Sequence, residues 1–151
     1  GWRLPVTIGR AGLVRQKEEG DGGTPVGSHR IIGLLYRPDR IARSRLPLWA
    51  RPIGLGDCWC DDPAHPAYNQ PVRAPFGGSH DRLRRAEPMY DLILLTDWNW
   101  PAAVPGRGSA IFLHRWRRPG APTAGCIAMS GTDLLLLANR IEPGQRLIIR
   151  G

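Results

Sequence analysis

Punctuation by glycine and proline limits what this chain can build more than any single motif does. Gly 19 and Pro 15 are spread through 151 residues and make up close to a quarter of the sequence. Each glycine loosens the backbone and each proline removes a hydrogen-bond donor, so helices longer than a few turns are excluded, and bundles and coiled coils with them. Short β-branched and apolar runs lie between the breaks. Val6-Thr7-Ile8 and Leu13-Val14-Arg15, separated by residues 9–12, read as a first hairpin. Residues 30–35, 90–96, 109–114 and 145–150 read as strands, mostly buried. A helix is expected over residues 134–138, capped by Ser130 or Thr132 and stopped by Pro143-Gly144. The Pro- and Arg-rich stretch 37–88 reads as loop with short strands or helical turns, and long ordered loops on a small domain usually line a site. The expected architecture is mainly β: a single domain over residues 1–151, a β-sandwich or partial barrel with one or two short helices.

Charge and cysteine narrow the function classes. The formal net charge is +8, and Lys17 is the only lysine among the 21 basic residues. Such a balance invites an anionic partner. The arginines are scattered, however, and their densest groups are residues 82–85 and 115–118. No helix-turn-helix pattern, zinc-finger spacing or RNA-binding aromatic signature accompanies them, so nucleic acid is not expected as a partner. Cys58, Cys60 and Cys126 are too few for a disulfide framework, and Cys58-Trp59-Cys60 lacks the second pair a zinc site needs, so no metal or cofactor is expected. Asp61-Asp62 does not make a glycosidase pair, because adjacent residues in an extended chain point opposite ways. No apolar stretch is long enough to span a membrane. The first residues lack a signal-type apolar region, while a start at Gly1 without Met reads as a trimmed product and leaves export open.

The chemistry concentrates late in the chain. His114 closes an expected strand, and Cys126 follows after a Pro- and Gly-containing loop. A thiol becomes a nucleophile as thiolate, commonly through an imidazole that accepts its proton and holds the ion pair. Gly125 leaves room for a reacting carbonyl, and the amides around Gly125, with Ala124 before it, are placed to face an oxyanion. Taken alone, a Cys and a His are more often the marks of a buried thiol and a satisfied strand-end histidine.

The surrounding pattern resembles the L,D-transpeptidase catalytic domain (YkuD-like) family. His114, Thr123, Gly125, Cys126 and Ile127 fit its late motif, whereas Ala124 and Ala128 stand where many members carry His and Arg or Asn. Residues 17–27 are similar to its early GDG-x-TP-x-G turn, and segments at 59–63, 68–69, 80, 90–91 and 106–114 look like those of its short, stand-alone bacterial branch. The resemblance implies a β-rich domain acting on peptidoglycan stem peptides, and so a periplasmic place. Cys126 would form a thioester acyl-enzyme with a donor peptide, and a diaminopimelate amine would resolve it. His114 would serve as base and then acid, held by a backbone carbonyl. The product would be a 3,3 cross-link between two diaminopimelates or, as in the short branch, a 1,3 cross-link from L-Ala. His80 and Arg107 are candidate substrate contacts, Arg107 for a carboxylate. Thr123, Tyr68, Asn69 and Asp61 join them by family pattern. Two rivals stay open: a carboxypeptidase or endopeptidase with water as acceptor, and a noncatalytic basic module that binds an anionic polymer. The oligomeric state is not readable from the sequence.

Overall fold

Alternating apolar residues with opposite destinations build the centre of the molecule, seen in a computed structural model that describes residues 3–151. Strand β3 (Gly27–Tyr36) follows two short strands, β1 (Leu13–Val14) and β2 (Thr24–Pro25), which pair in parallel. Four short strands then occupy the Pro-rich stretch: β4 (Arg51–Pro52), β5 (Asp57–Cys60), β6 (Pro71–Arg73) and β7 (His80–Arg82). Next come β8 (Leu92–Thr96), β9 (Phe112–Arg115), β10 (Ile127–Met129), the helix α1 (Gly131–Ala138) and β11 (Arg146–Ile149). The main sheet runs β10-β9-β8-β3-β11, with β4 on the second half of β3. Its pairings are antiparallel except β9 with β10 and β3 with β4. A register shift at Ile31/Gly33 lets the first half of β3 pair β11 and the second half pair β8.

Each face of this sheet carries its own core. Leu34, Leu92, Leu94, Leu113 and Met129 pack toward Leu134 and Ala138 of α1. Ile93 and Phe112 point the other way, onto Trp59 of the small antiparallel sheet β6-β5-β7 and onto Leu83, which follows β7 directly. Period-two alternation along β8 and β9 therefore produces three layers: helix, main sheet, small sheet. The mainly β expectation holds, without barrel closure. Helix α1 starts where expected, since Ser130 Oγ accepts a bond from the Asp133 amide at 3.1 Å.

Three local expectations are corrected. Residues 6–8 and 13–15 form no hairpin: Thr7 bridges Ala128 and Gly9 bridges Thr123, so this segment covers the outer edge of β10. An uncovered edge strand would leave amides and carbonyls unpaired, and the N-terminal segment supplies their partners. The strand expected from Ser109 begins instead at Phe112, because Ala110 has φ 53°, a left-handed conformation that interrupts the extended backbone at a residue with a side chain. Similarly, Pro88–Tyr90 forms a 3-10 turn before β8 rather than part of it. Among the described residues there is a single α-helix and none long and apolar enough to cross a membrane.

Candidate active site

Parallel pairing of β9 with β10 sets the two suspected residues two positions apart on neighbouring strands. Ala128 stands opposite His114 in register, so Cys126, two residues earlier, stands level with Phe112. Alternation along β9 puts Phe112 and His114 on one face, and Cys126 packs against the core cluster that contains Phe112. His114 is buried and meets Tyr90 edge-on at 5.4 Å. Its Nδ1 lies 2.7 Å from the Arg115 carbonyl. A carbonyl only accepts, so Nδ1 carries the proton and Nε2 keeps its lone pair.

The surroundings of the two groups favour a thiol and a neutral imidazole over an ion pair. Cys126 Sγ donates to the Ala110 carbonyl at 3.0 Å and accepts from the Phe112 amide at 3.4 Å. Burial pushes its pKa up to about 11, against smaller opposing effects from the Phe112 amide, Lys17 and Arg85. Burial likewise lowers the pKa of His114, and the Arg85 charge lowers it further while the Arg115 carbonyl works the other way. Both shifts disfavour charge separation.

The loop carrying Cys126 is clamped from outside itself. Thr24 Oγ1, fully buried, accepts from the Gly9 amide at 2.8 Å and donates to the Gly125 carbonyl at 2.7 Å. Gly125 has φ 149°, and a Cβ there would lie 2.9 Å from the Gly23 carbonyl oxygen. Only glycine fits so close to the early turn. That turn is held in its own right: Asp21 accepts from the Glu18 and Gly23 amides and pairs with the buried ammonium of Lys17. The early motif and the late motif are therefore one unit in space. Within the late loop, Thr123 Oγ1 donates to the Cys126 carbonyl at 2.6 Å and accepts from the Gly125 amide at 3.0 Å. The Gly125 amide, expected to face an oxyanion, is thus already engaged.

Tyr68 and Asn69 are braces beneath the segment whose Ala110 carbonyl accepts the thiol hydrogen bond. Tyr68 donates to Glu19 at 2.6 Å and accepts from the Gly108 amide at 2.9 Å, and burial beside that carboxylate pushes its phenol well above the usual range. Asn69 Oδ1 accepts from Trp59 Nε1 at 2.8 Å and from the Ala110 amide at 3.0 Å, while its Nδ2 donates to the Trp98 and Asn99 carbonyls. These bonds hold Ala110 at φ 53° and so aim its carbonyl at Sγ. Both residues were expected at the substrate, but their polar atoms are occupied by the fold.

A cleft in two connected parts opens over the pair. One part, about 450 Å³, is lined by His114, Tyr90, Thr123 and Ala124, and the other, about 200 Å³, by Cys126, Asp61, Lys17 and Glu19. Arg10, Asp81 and Ala124 line both and mark the junction. Asp61 lines the second part, and its Oδ1 is buried with no hydrogen-bond partner. Asp62 points away, to the Ala64 amide. His80 lines neither part: its Nδ1 lies 2.8 Å from the Gly78 carbonyl and its ring packs on Phe76. Its neighbour Asp81 takes the inward position, as alternation along β7 requires. Asp81 has a raised pKa through burial, then through Asp61, with Arg85 opposing at 3.8 Å. Arg107 is exposed on an adjoining cavity beyond Lys17 and Glu19.

Reading the sequence alone overlooked Asp81, Arg10 and the clamp by Thr24. The first sat one residue from a chosen histidine, and the clamp lay within a recognised turn whose partner was out of sight. Cys58 and Cys60 are free, buried thiols on β5. Among the described residues no group of three or more His, Cys, Asp or Glu is disposed to hold a metal ion.

Neither a comparison with curated proteins nor one with solved structures gives a match. The family comparison does: the model of the YkuD L,D-transpeptidase catalytic domain matches residues 1–149, with the early turn, the braces and the Cys–His pair all inside that span. The chain belongs to the L,D-transpeptidase catalytic-domain family, whose members are cysteine-dependent enzymes of peptidoglycan stem peptides.

Proposed function

We propose that this protein is a peptidoglycan L,D-transpeptidase whose catalytic domain, residues 1–151, works in the periplasm and joins stem peptides through a Cys126 thioester. The observation that carries this reading is the locked tautomer of His114, which leaves Nε2 as a base on the face shared with Cys126. The thiol swings from the Ala110 carbonyl to His114 as it attacks the donor carbonyl, and its proton passes to Nε2. The tetrahedral intermediate collapses with release of the C-terminal part, whose amine takes that proton from His114. With the Gly125 amide engaged by Thr123, the amides of Ala124 and Cys126 are the loop donors assigned to the oxyanion.

The acceptor enters as a diaminopimelate ammonium. Asp61 and Asp81 are assigned to hold it, since both line the cleft and Asp61 Oδ1 lacks any other partner. The ammonium sheds its proton to solvent, and the free amine attacks the thioester while His114 accepts the second proton. His114 then returns that proton to the departing Cys126 sulfur, and the enzyme is restored. The product is a 3,3 cross-link where the donor carbonyl is that of diaminopimelate and a 1,3 cross-link where it is that of L-Ala. Incubation with disaccharide-tetrapeptide and disaccharide-pentapeptide, read by tandem mass spectrometry, tests the proposal. Dimers that depend on Cys126 support it, and their fragmentation distinguishes the linkages; shortened monomers alone would make water the acceptor and overturn the transferase.

A further inference from the structure

A second depression, about 510 Å³, adjoins the cleft, and Trp116, Arg117 and Arg118 form a wall common to both. Arg40, Arg45, Arg115, Arg117 and Arg118 line it, against Asp91 as the one acid. That acid is already paired with Arg40 at 2.7 Å. Among the described residues, no carboxylate or carbonyl engages the guanidiniums of Arg45, Arg115, Arg117 or Arg118, and all four side chains belong to exposed residues. Glu87, whose carboxyl feels Arg117, is bonded to Arg85 instead.

The like charges are stacked further by the helix. Arg115 Cδ lies 3.3 Å from where a Cβ on Gly131 would sit, at the first residue of α1, so this cation rests against the positive end of a helix. Clustered cations in a concave site repel one another unless an anion lies among them, and planar guanidinium forks match the two oxygens of a carboxylate.

We propose that this groove is an anion-binding extension of the cleft that grips the free carboxylates of a stem peptide whose reacting group lies at Cys126. The proposal rests on the stem-peptide reading above. Shared walls give the occupant: a ligand that reaches both parts must run from the sulfur past Arg117 and Arg118.

Calorimetry on full-length Cys126→Ala protein tests this without turnover. The probes are a disaccharide-tetrapeptide with free carboxylates and the same compound with those carboxylates amidated. The free form is expected to bind about tenfold more tightly. In an added Arg117→Ala/Arg118→Ala pair that preference should shrink to about twofold, and an Arg117→Lys/Arg118→Lys pair, which keeps the charge, should restore most of it. Near-ultraviolet circular dichroism checks that each variant keeps its fold. Equal binding of both forms, or a preference untouched by the alanine pair, would overturn the groove while leaving the stem-peptide reading intact. Failure of both probes to bind would instead overturn that reading and the groove with it. Tighter binding of a double-stranded DNA oligomer, lost in the same alanine pair, would reassign the groove and overturn the proposal.

Discussion

The two faces of the main sheet are built from the same strands yet behave as different materials. On the α1 side, Leu34, Leu94 and Leu134 are fully buried among other apolar side chains, and no suspected catalytic group faces them. On the opposite side, Phe112 and Ile93 are as deeply buried, but at the β9–β10 end the apolar layer gives way to His114, Tyr90 and Cys126. There a cleft replaces the packing. The difference shows where this fold tolerates polar chemistry: at one corner, where backbone carbonyls and loop hydroxyls supply the partners that burial demands.

That contrast is open to direct test. Cys126→Ala should abolish cross-linked product while the thermal transition stays close to that of the parent, since a small half-buried thiol contributes little packing; residual product by mass spectrometry would place the nucleophile elsewhere. His114→Ala should slow thioester formation by about 10²- to 10⁴-fold, the usual worth of a general base. An unchanged acylation rate would remove it from that role. Thr24→Val, nearly isosteric, should lower kcat by about ten- to a hundredfold through the released Gly125 carbonyl, because small misplacements of a reacting group are costly. A rate like that of the parent would show that the clamp is dispensable.

On the other face the order of effects should reverse. Leu34→Ala should cost about 2–5 kcal/mol of stability in denaturant titration, with kcat within about twofold of the parent because the site is remote. A larger loss of rate than of stability would break the separation of the faces. The smallest effect concerns pH. His114 must be neutral to accept a proton, and its depressed pKa keeps it neutral at pH values below the ordinary histidine value of about 6.5. Acylation should therefore stay flat from neutral pH down through that value and fall only in more acid solution. With the thiol protonated up to about 11, no rise between pH 7 and 9 should mark its ionisation. Such a rise would restore the ion-pair picture. The unfolded chain takes up the His114 proton at higher pH than the folded one, so the associated stability is present above about 6.5 and is lost as pH falls from there through the lower folded-state value.

Local pattern was a good guide wherever one strand or one turn decides the outcome. Alternation at 92–96 and 112–115 and the Ser130 cap each follow from forces acting within a few residues. The pattern misled at 6–15, where the competing partner is the edge of β10 more than a hundred residues away. It misled again at Tyr68 and Asn69, whose polar side chains suit a ligand and a brace equally; only their bonds to Glu19, Gly108 and Ala110 separate the two. Choosing His80 over Asp81 was a matter of facing, which depends on the side of β7 that the small sheet turns toward the cleft.

What the sequence by itself determined is the supply of parts: a glycine- and proline-broken β chain, one Cys and one His a short loop apart, an early turn and a surplus of arginine. These depend on side-chain identity and near neighbours. Only the tertiary structure decided that the thiol bonds to the Ala110 carbonyl, that Thr24 grips the nucleophile loop, and that Arg40 and Arg45 join the 115–118 arginines beside the cleft. Burial, desolvation and the meeting of distant charges exist only once the layers have packed, and no local pattern encodes them.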